Sequence, residues 1–268
     1  MKLPSNKVLA VNGAIILTIG FALIVQVRDI FVGKIEPVCT QRYSKVAAFA
    51  MDRGGQLLKP DDIQASAFGQ DIGVMTNLSI RRLKEGPAPT AFGIKLDAGT
   101  AHPTNPQFPQ GGVSFPWRPR GIPSNASAAC LTYHVFLPAD FDFDAGGTLP
   151  GLFGASTADA PTVDRVDVRP VWGQGGSIHH AMLATTPENQ TPFTTPGNPH
   201  ASGYPRGRWI RIDQEVILNT PKTGNGITRL WVNEELKAEI RSANLRDDQL
   251  VAIQGVTADL YFGLPAVG

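Results

Sequence analysis

The chain has 268 residues, with 24 Lys and Arg against 23 Asp and Glu for a net charge of +1. That balance excludes a nucleic-acid-binding surface spread over the molecule, so any attraction for an acidic ligand must be local. With 28 Gly, 22 Pro and 42% apolar residues, the composition supports a substantial core interrupted by many turns, as in a β protein.

Residues 8–27, VLAVNGAIILTIGFALIVQV, carry no charge. A helix of that length, at about 1.5 Å per residue, spans the roughly 30 Å hydrocarbon core of a bilayer. Lys2 and Lys7 precede it, Arg28, Asp29 and Lys34 follow it, and no A-x-A-type cleavage site stands at its end. The expectation is a cytoplasmic tail at 1–7, a transmembrane signal anchor at 8–27, and a C-terminal domain outside the cytoplasm, periplasmic or extracellular. Secretion after signal cleavage is the alternative. In such an oxidising compartment Cys39 and Cys130 are candidates for a disulfide tying the post-membrane segment to the domain, against the alternative of two buried thiols. No His or Cys pair stands at ligand spacing around either cysteine, so a metal site is not expected there, and no cofactor is expected.

Residues 28–75 read as a stalk or packing extension, with a short helix over 43–52 (YSKVAAFAMD) and a turn at Pro60-Asp61-Asp62. The domain itself occupies 76–268. TNLSIRRL and TAFGIKLD are two alternating runs joined by EGPAP, and they predict a strand pair of the same sheet system. Residues 98–126, rich in Pro, Gly, Asn and Ser, predict a loop. Six strand signals then follow: ACLTYHVFLP, DRVDVRPVW, GSIHHAMLAT, RWIRIDQEVILN, TRLWVNEELKAEI and ADLYFGL. With no long helix between them, they predict an all-β fold, an antiparallel β-jelly-roll sandwich.

Within RWIRIDQEVILN, Ile210, Ile212, Val216 and Leu218 share a face expected to be buried, and Arg211, Asp213 and Glu215 share one expected to be solvated. Gln214 falls on the apolar side, where its amide either completes a buried hydrogen-bond network or reaches a ligand. Asn219 closes the segment as a further candidate for substrate binding. In FDFDAGG, Asp140, Asp142 and Asp144 alternate, a pattern that suits the acid and base of a glycoside hydrolase or a solvated loop.

Several stretches taken together resemble polysaccharide lyase family 14: Leu131 through Leu152 (LTYHVFLPADFDFDAGGTLPGL), Arg169-x-x-Trp172, GRWIRIDQEVILN at 207–219, NGITRLWVN, and the closing GVTADLYFG. The resemblance covers roughly residues 125–268. It implies a jelly roll that cleaves uronate-containing polysaccharides, such as alginate or glucuronan, by β-elimination in a cleft on one sheet. Such chemistry needs a neutraliser for the substrate carboxylate, a base for the C5 proton and an acid for the C4 oxygen.

Three departures from the family pattern bear on that chemistry. The catalytic lysine of the family falls at Thr148, its S-x-R pair at Asp167-Val168-Arg169, and its paired tyrosines within SIHHAMLA, which contains His179 and His180. Arg169 is the expected carboxylate neutraliser, with Asp167 beside it on the same side of the strand. His179 or His180 replaces tyrosine as base, and Tyr204 or Thr148 assists at the leaving oxygen. Alternation turns His180 inward with Ile178 and Met182, which leaves His179 as the better candidate. The competing expectation is a domain that binds an acidic polysaccharide without cleaving it, because a threonine supplies no cation.

Overall fold

The computed structural model describes residues 36–101, 105, 107–156, 165–184, 193–196 and 203–263. The expected membrane segment at 8–27 lies outside the described residues, among which no helix is long and apolar enough to cross a membrane. The chain divides into two units, Met1–Pro37 and Val38–Gly268. The second unit carries the fold.

It opens with a small hairpin, β1 (Asp52–Arg53) and β2 (Gln56–Leu57), then helices α1 (Pro60–Ser66) and α2 (Val74–Asn77), and a hairpin of β3 (Leu78–Arg82) and β4 (Thr90–Ile94). The strands that follow are β5 (Pro116–Trp117), β6 (Ala128–Leu137), β7 (Gly147–Thr148), β8 (Gly151–Ala155), β9 (Arg165–Trp172), β10 (Ile178–Ala184), β11 (Phe193–Pro196), β12 (Arg208–Ile217), β13 (Gly226–Val232), β14 (Glu235–Ala243), β15 (Ala252–Thr257) and β16 (Tyr261–Phe262). Two antiparallel sheets result. The larger has the order β11-β10-β9-β8-β15-β5, with β7 paired to β9 and to β16; the smaller has the order β14-β13-β12-β6.

Alternation along the strands sends one set of side chains between the sheets. Leu152, Val166, Val168 and Met182 of the large sheet meet Val216 and Leu218, and Leu149, Trp172 and Ile178 meet Ile210, Ile212 and Leu230. Burial of two apolar faces against each other is the main stabilisation of such a sandwich. This is the expected all-β architecture.

Four local expectations are corrected. The β3–β4 pair forms as predicted but remains a separate two-stranded sheet, packed with Ile63, Val74, Val113 and Phe115 in its own apolar cluster. Residues 43–50 are not helical: the segment is held by Phe49, whose ring meets Phe92 at 5.4 Å and Trp117 at 5.2 Å, while Val46 is left exposed. Pro60-Asp61-Asp62 is a helix start rather than a turn; Pro60 takes the first position, where no amide donor is needed, and Asp62 accepts the Lys59 amide at 2.8 Å. TRLWVNEELKAEI is two strands, β13 and β14, joined through Asn233 and Glu234 at φ 51° and 68°.

The outer face of the small sheet alternates as predicted, yet its acids are not solvated. Asp213 and Glu215 are buried because the segment beginning at Val38 crosses that face. A Cys39–Cys130 disulfide fastens the segment. Arg42 donates to Glu215 Oε2 at 2.6 Å, the Tyr43 hydroxyl donates to Glu215 Oε1 at 3.0 Å, and Arg229 pairs with the same carboxylate at 2.7 Å. A buried carboxylate requires such partners.

Candidate functional site

The GGTLPGL corner between β7 and β8 shapes the outer face of the large sheet. A Cβ on Gly147 would come within 2.0 Å of the Trp172 indole, and one on Gly151 within 2.8 Å of the Arg169 Cα. Both glycines are therefore packing requirements of β9, which the corner embraces. Gly146, at φ 66°, makes the turn itself. Between them, Thr148 faces outward from the core with its cross-strand neighbours Val171 and Tyr261, fully buried.

Arg169 is the centre of the outer face. Its Nη1 pairs with Asp259 Oδ2 at 2.5 Å and donates to the Tyr261 hydroxyl at 2.8 Å, while Nη2 lies 3.4 Å from Asp167 Oδ1. The Tyr261 hydroxyl donates in turn to Asp259 Oδ2 at 3.1 Å. Asp167 also accepts from Arg165 Nε at 2.7 Å and from Thr257 Oγ1 at 3.1 Å. Burial disfavours the charge on Arg169, but Asp259 and Asp167 outweigh it and keep the guanidinium firmly protonated. For Asp167, burial pushes the carboxyl up, yet Arg169 and Arg165 hold it below its ordinary value. Asp259 is the opposite case: burial prevails over Arg169 and holds it above the ordinary value. Burial first, and Asp259 second, raise the Tyr261 phenol, which is a proton donor and not a base at neutral pH.

The neighbouring strand β10 registers Ala181 opposite Arg169 and His179 opposite Val171, so His179 shares the outer face. Its Nε2 is 2.8 Å from Ser177 Oγ, and a Cβ on Gly173 would intrude within 2.9 Å of that nitrogen. Burial lowers the His179 pKa, which leaves a neutral imidazole able to accept a proton.

The other expected site residues are not on this face. His180 lies between the sheets, fully buried, with Nε2 2.8 Å from Gln214 Nε2. Gln214 also donates to the Val168 carbonyl at 2.8 Å and accepts the Leu152 amide at 2.9 Å, so its amide serves the buried network and not a ligand. Tyr204 packs in the inter-sheet core with Trp172 and Ile210, away from the Arg169 cluster. Asn219 accepts the amides of Leu245 and Arg246 and holds a turn. Asp140, Asp142 and Asp144 are exposed loop residues, Asp142 accepting the Asp144 amide at 2.8 Å, which is turn chemistry. Conversely, Asp259 and Tyr261 escaped the sequence reading as site residues. Their signal is the Asp259-Leu260-Tyr261 alternation inside GVTADLYFG, which puts both polar side chains on the face opposite Leu260.

A separate cavity of about 1930 Å³ opens along β6, walled by Phe49, Phe92, Trp117 and Leu131. It is mostly apolar and includes none of Arg169, His179 or Tyr261.

No curated protein matches the chain by sequence. Among solved structures, the fold is similar to a marine alginate lyase from Aplysia kurodai (TM-score 0.59, 19% identity, 74% of this chain and 82% of that one). It is also similar to an alginate lyase from a Chlorella virus (TM-score 0.53, 20% identity, 63% and 75%). The family described as Polysaccharide lyase 14 matches residues 86–176 and 184–264, a span that takes in the corner, the Arg169 strand and the Asp259–Tyr261 segment. The chain belongs to polysaccharide lyase family 14.

Proposed function

We propose that the outer face of the large sheet binds an acidic, uronate-containing polysaccharide and cleaves it by β-elimination. The carrying observation is the common face shared by a permanent cation, Arg169, a neutral imidazole, His179, and a protonated phenol, Tyr261. In this reading Arg169 draws charge from the substrate carboxylate, which acidifies C5–H. His179 takes the C5 proton, the electron pair forms the C4–C5 double bond as the C4–O bond breaks, and the imidazolium so formed returns a proton to the departing C4 oxygen, while the Tyr261 hydroxyl holds Arg169 and Asp259 in place. Asp167 and Asp259 fix the guanidinium in place, and Asp259 fixes the phenol as well.

A second reading, polysaccharide binding without cleavage, is supported by a specific observation. Arg169 already faces two carboxylates, and Thr148, which the sequence resemblance sets at the position of the family's lysine, is buried and supplies no cation. Incubation of the domain with alginate, glucuronan and other polyuronates separates the two. Elimination generates unsaturated ends that absorb in the far ultraviolet, whereas binding alone gives retention without new absorbance.

We further propose that the domain is tethered outside the cytoplasm by residues 8–27 as a single-pass membrane protein. The charge-free run of that segment and the Cys39–Cys130 disulfide, a bond of oxidising compartments, support the reading.

A further inference from the structure

Beside the Arg169 cluster, Phe153 of β8 stands opposite Asp167 on the outer face, yet it is only 1% exposed. Two guanidinium groups lie over its ring. Arg165 Cζ is 4.8 Å and Arg118 Cζ 5.1 Å from the centroid. The backbone is built to allow this. Gly255 of β15 stands opposite Phe153, and a Cβ there would come within 2.1 Å of the Trp117 carbonyl oxygen and 3.2 Å of the Arg118 Cα. Only glycine lets the chain leaving β5 close over the sheet and carry Arg118 to the ring. Arg165 is oriented further by Asp167 and by Thr257, to whose Oγ1 its Nη2 donates at 3.2 Å. Arg118 reaches Gln70 at 3.4 Å and remains half-exposed.

A guanidinium laid on an aromatic face keeps its planar N–H fork directed sideways, the geometry that receives a carboxylate with two parallel bonds. A polyuronate presents a carboxylate on every sugar, so a strand with one carboxylate at Arg169 carries others along the sheet. We propose that Arg118, held on Phe153 beside an Arg165 whose Nε and Nη2 are already engaged by Asp167, forms a second carboxylate subsite for a neighbouring uronate of the same strand. This rests on the reading that the face takes a polyuronate.

The test is calorimetric titration of the full chain with an alginate or glucuronan hexasaccharide, at two salt concentrations, alongside neutral cellohexaose. The expected result is that Arg118→Ala weakens hexauronate binding about tenfold and reduces its salt dependence. Arg118→Lys is expected to recover only part of the affinity, since an ammonium lacks the planar fork, and the thermal transition of each variant verifies that it folds. Equal affinity and equal salt dependence in wild type and Arg118→Ala would overturn the subsite while leaving the functional reading in place. Wild-type protein that binds no polyuronate would instead overturn the functional reading and the subsite with it.

Discussion

His179 and His180 are adjacent, and the strand gives them opposite fates. His179 faces the site as a neutral, half-buried imidazole, whereas His180 is sealed between the sheets and held down to about 3 by burial. An unfolded histidine protonates near 6.5, so the unfolded chain binds a proton there that the folded chain refuses. Stability is therefore expected to fall as pH drops from about 6.5 toward 3, by up to about 1.4 kcal/mol per pH unit from this residue. Denaturant midpoints across that range check it: His180→Gln should flatten the slope, and an unchanged slope would mean another group dominates. Asp259 gives a second prediction at this scale. Asp259→Asn leaves Arg169 buried with only the more distant Asp167, at a cost of about 3 kcal/mol in equilibrium unfolding. The alternation of the β10 strand was enough to sort the two histidines, because a period of two is a local property. It was not enough to reject Tyr204, whose place in the core is set by contacts with strands distant in sequence.

At the scale of elements, the strands that follow a clean apolar alternation were legible, and the exceptions have physical causes. The β13–β14 hairpin hides in TRLWVNEELKAEI because its turn is Asn-Glu; the usual Asn-Gly signal for two left-handed residues is missing, and Glu234 adopts φ 68° without glycine's freedom. The segment after Val38 has no periodicity to betray it, since apart from one 3-10 turn at Cys39–Gln41 it is irregular and lies across β12 and β6. Its role as a strap is set by the disulfide and by Arg42 and Tyr43 on Glu215. The two cysteines are 91 residues apart, so reducing the bond, or replacing both with serine, is expected to cost about 4 kcal/mol on the chain-entropy account. Urea unfolding with and without reductant measures this, and coincident curves would show that the strap is held without the bridge.

For the whole molecule, the sequence resemblance and the fold agree on a β-sandwich of polysaccharide lyase family 14. The corner glycines Gly147 and Gly151 keep the corner packed against Trp172 and Arg169 of β9. Tyr261, on the last strand, is not brought beside Arg169 by local pattern alone; only the pairing of β16 with β7 and of β7 with β9 does this. Elimination at the Arg169 face is tested most directly by incubation with polyuronates, followed by far-ultraviolet absorbance of unsaturated ends. It predicts that at least one polyuronate yields that absorbance, that Arg169→Ala abolishes it, and that His179→Ala lowers its rate by roughly a hundredfold or more, the usual contribution of a general base. Retention of the polymer with no unsaturated product from any polyuronate would contradict it and leave a binding domain in its place.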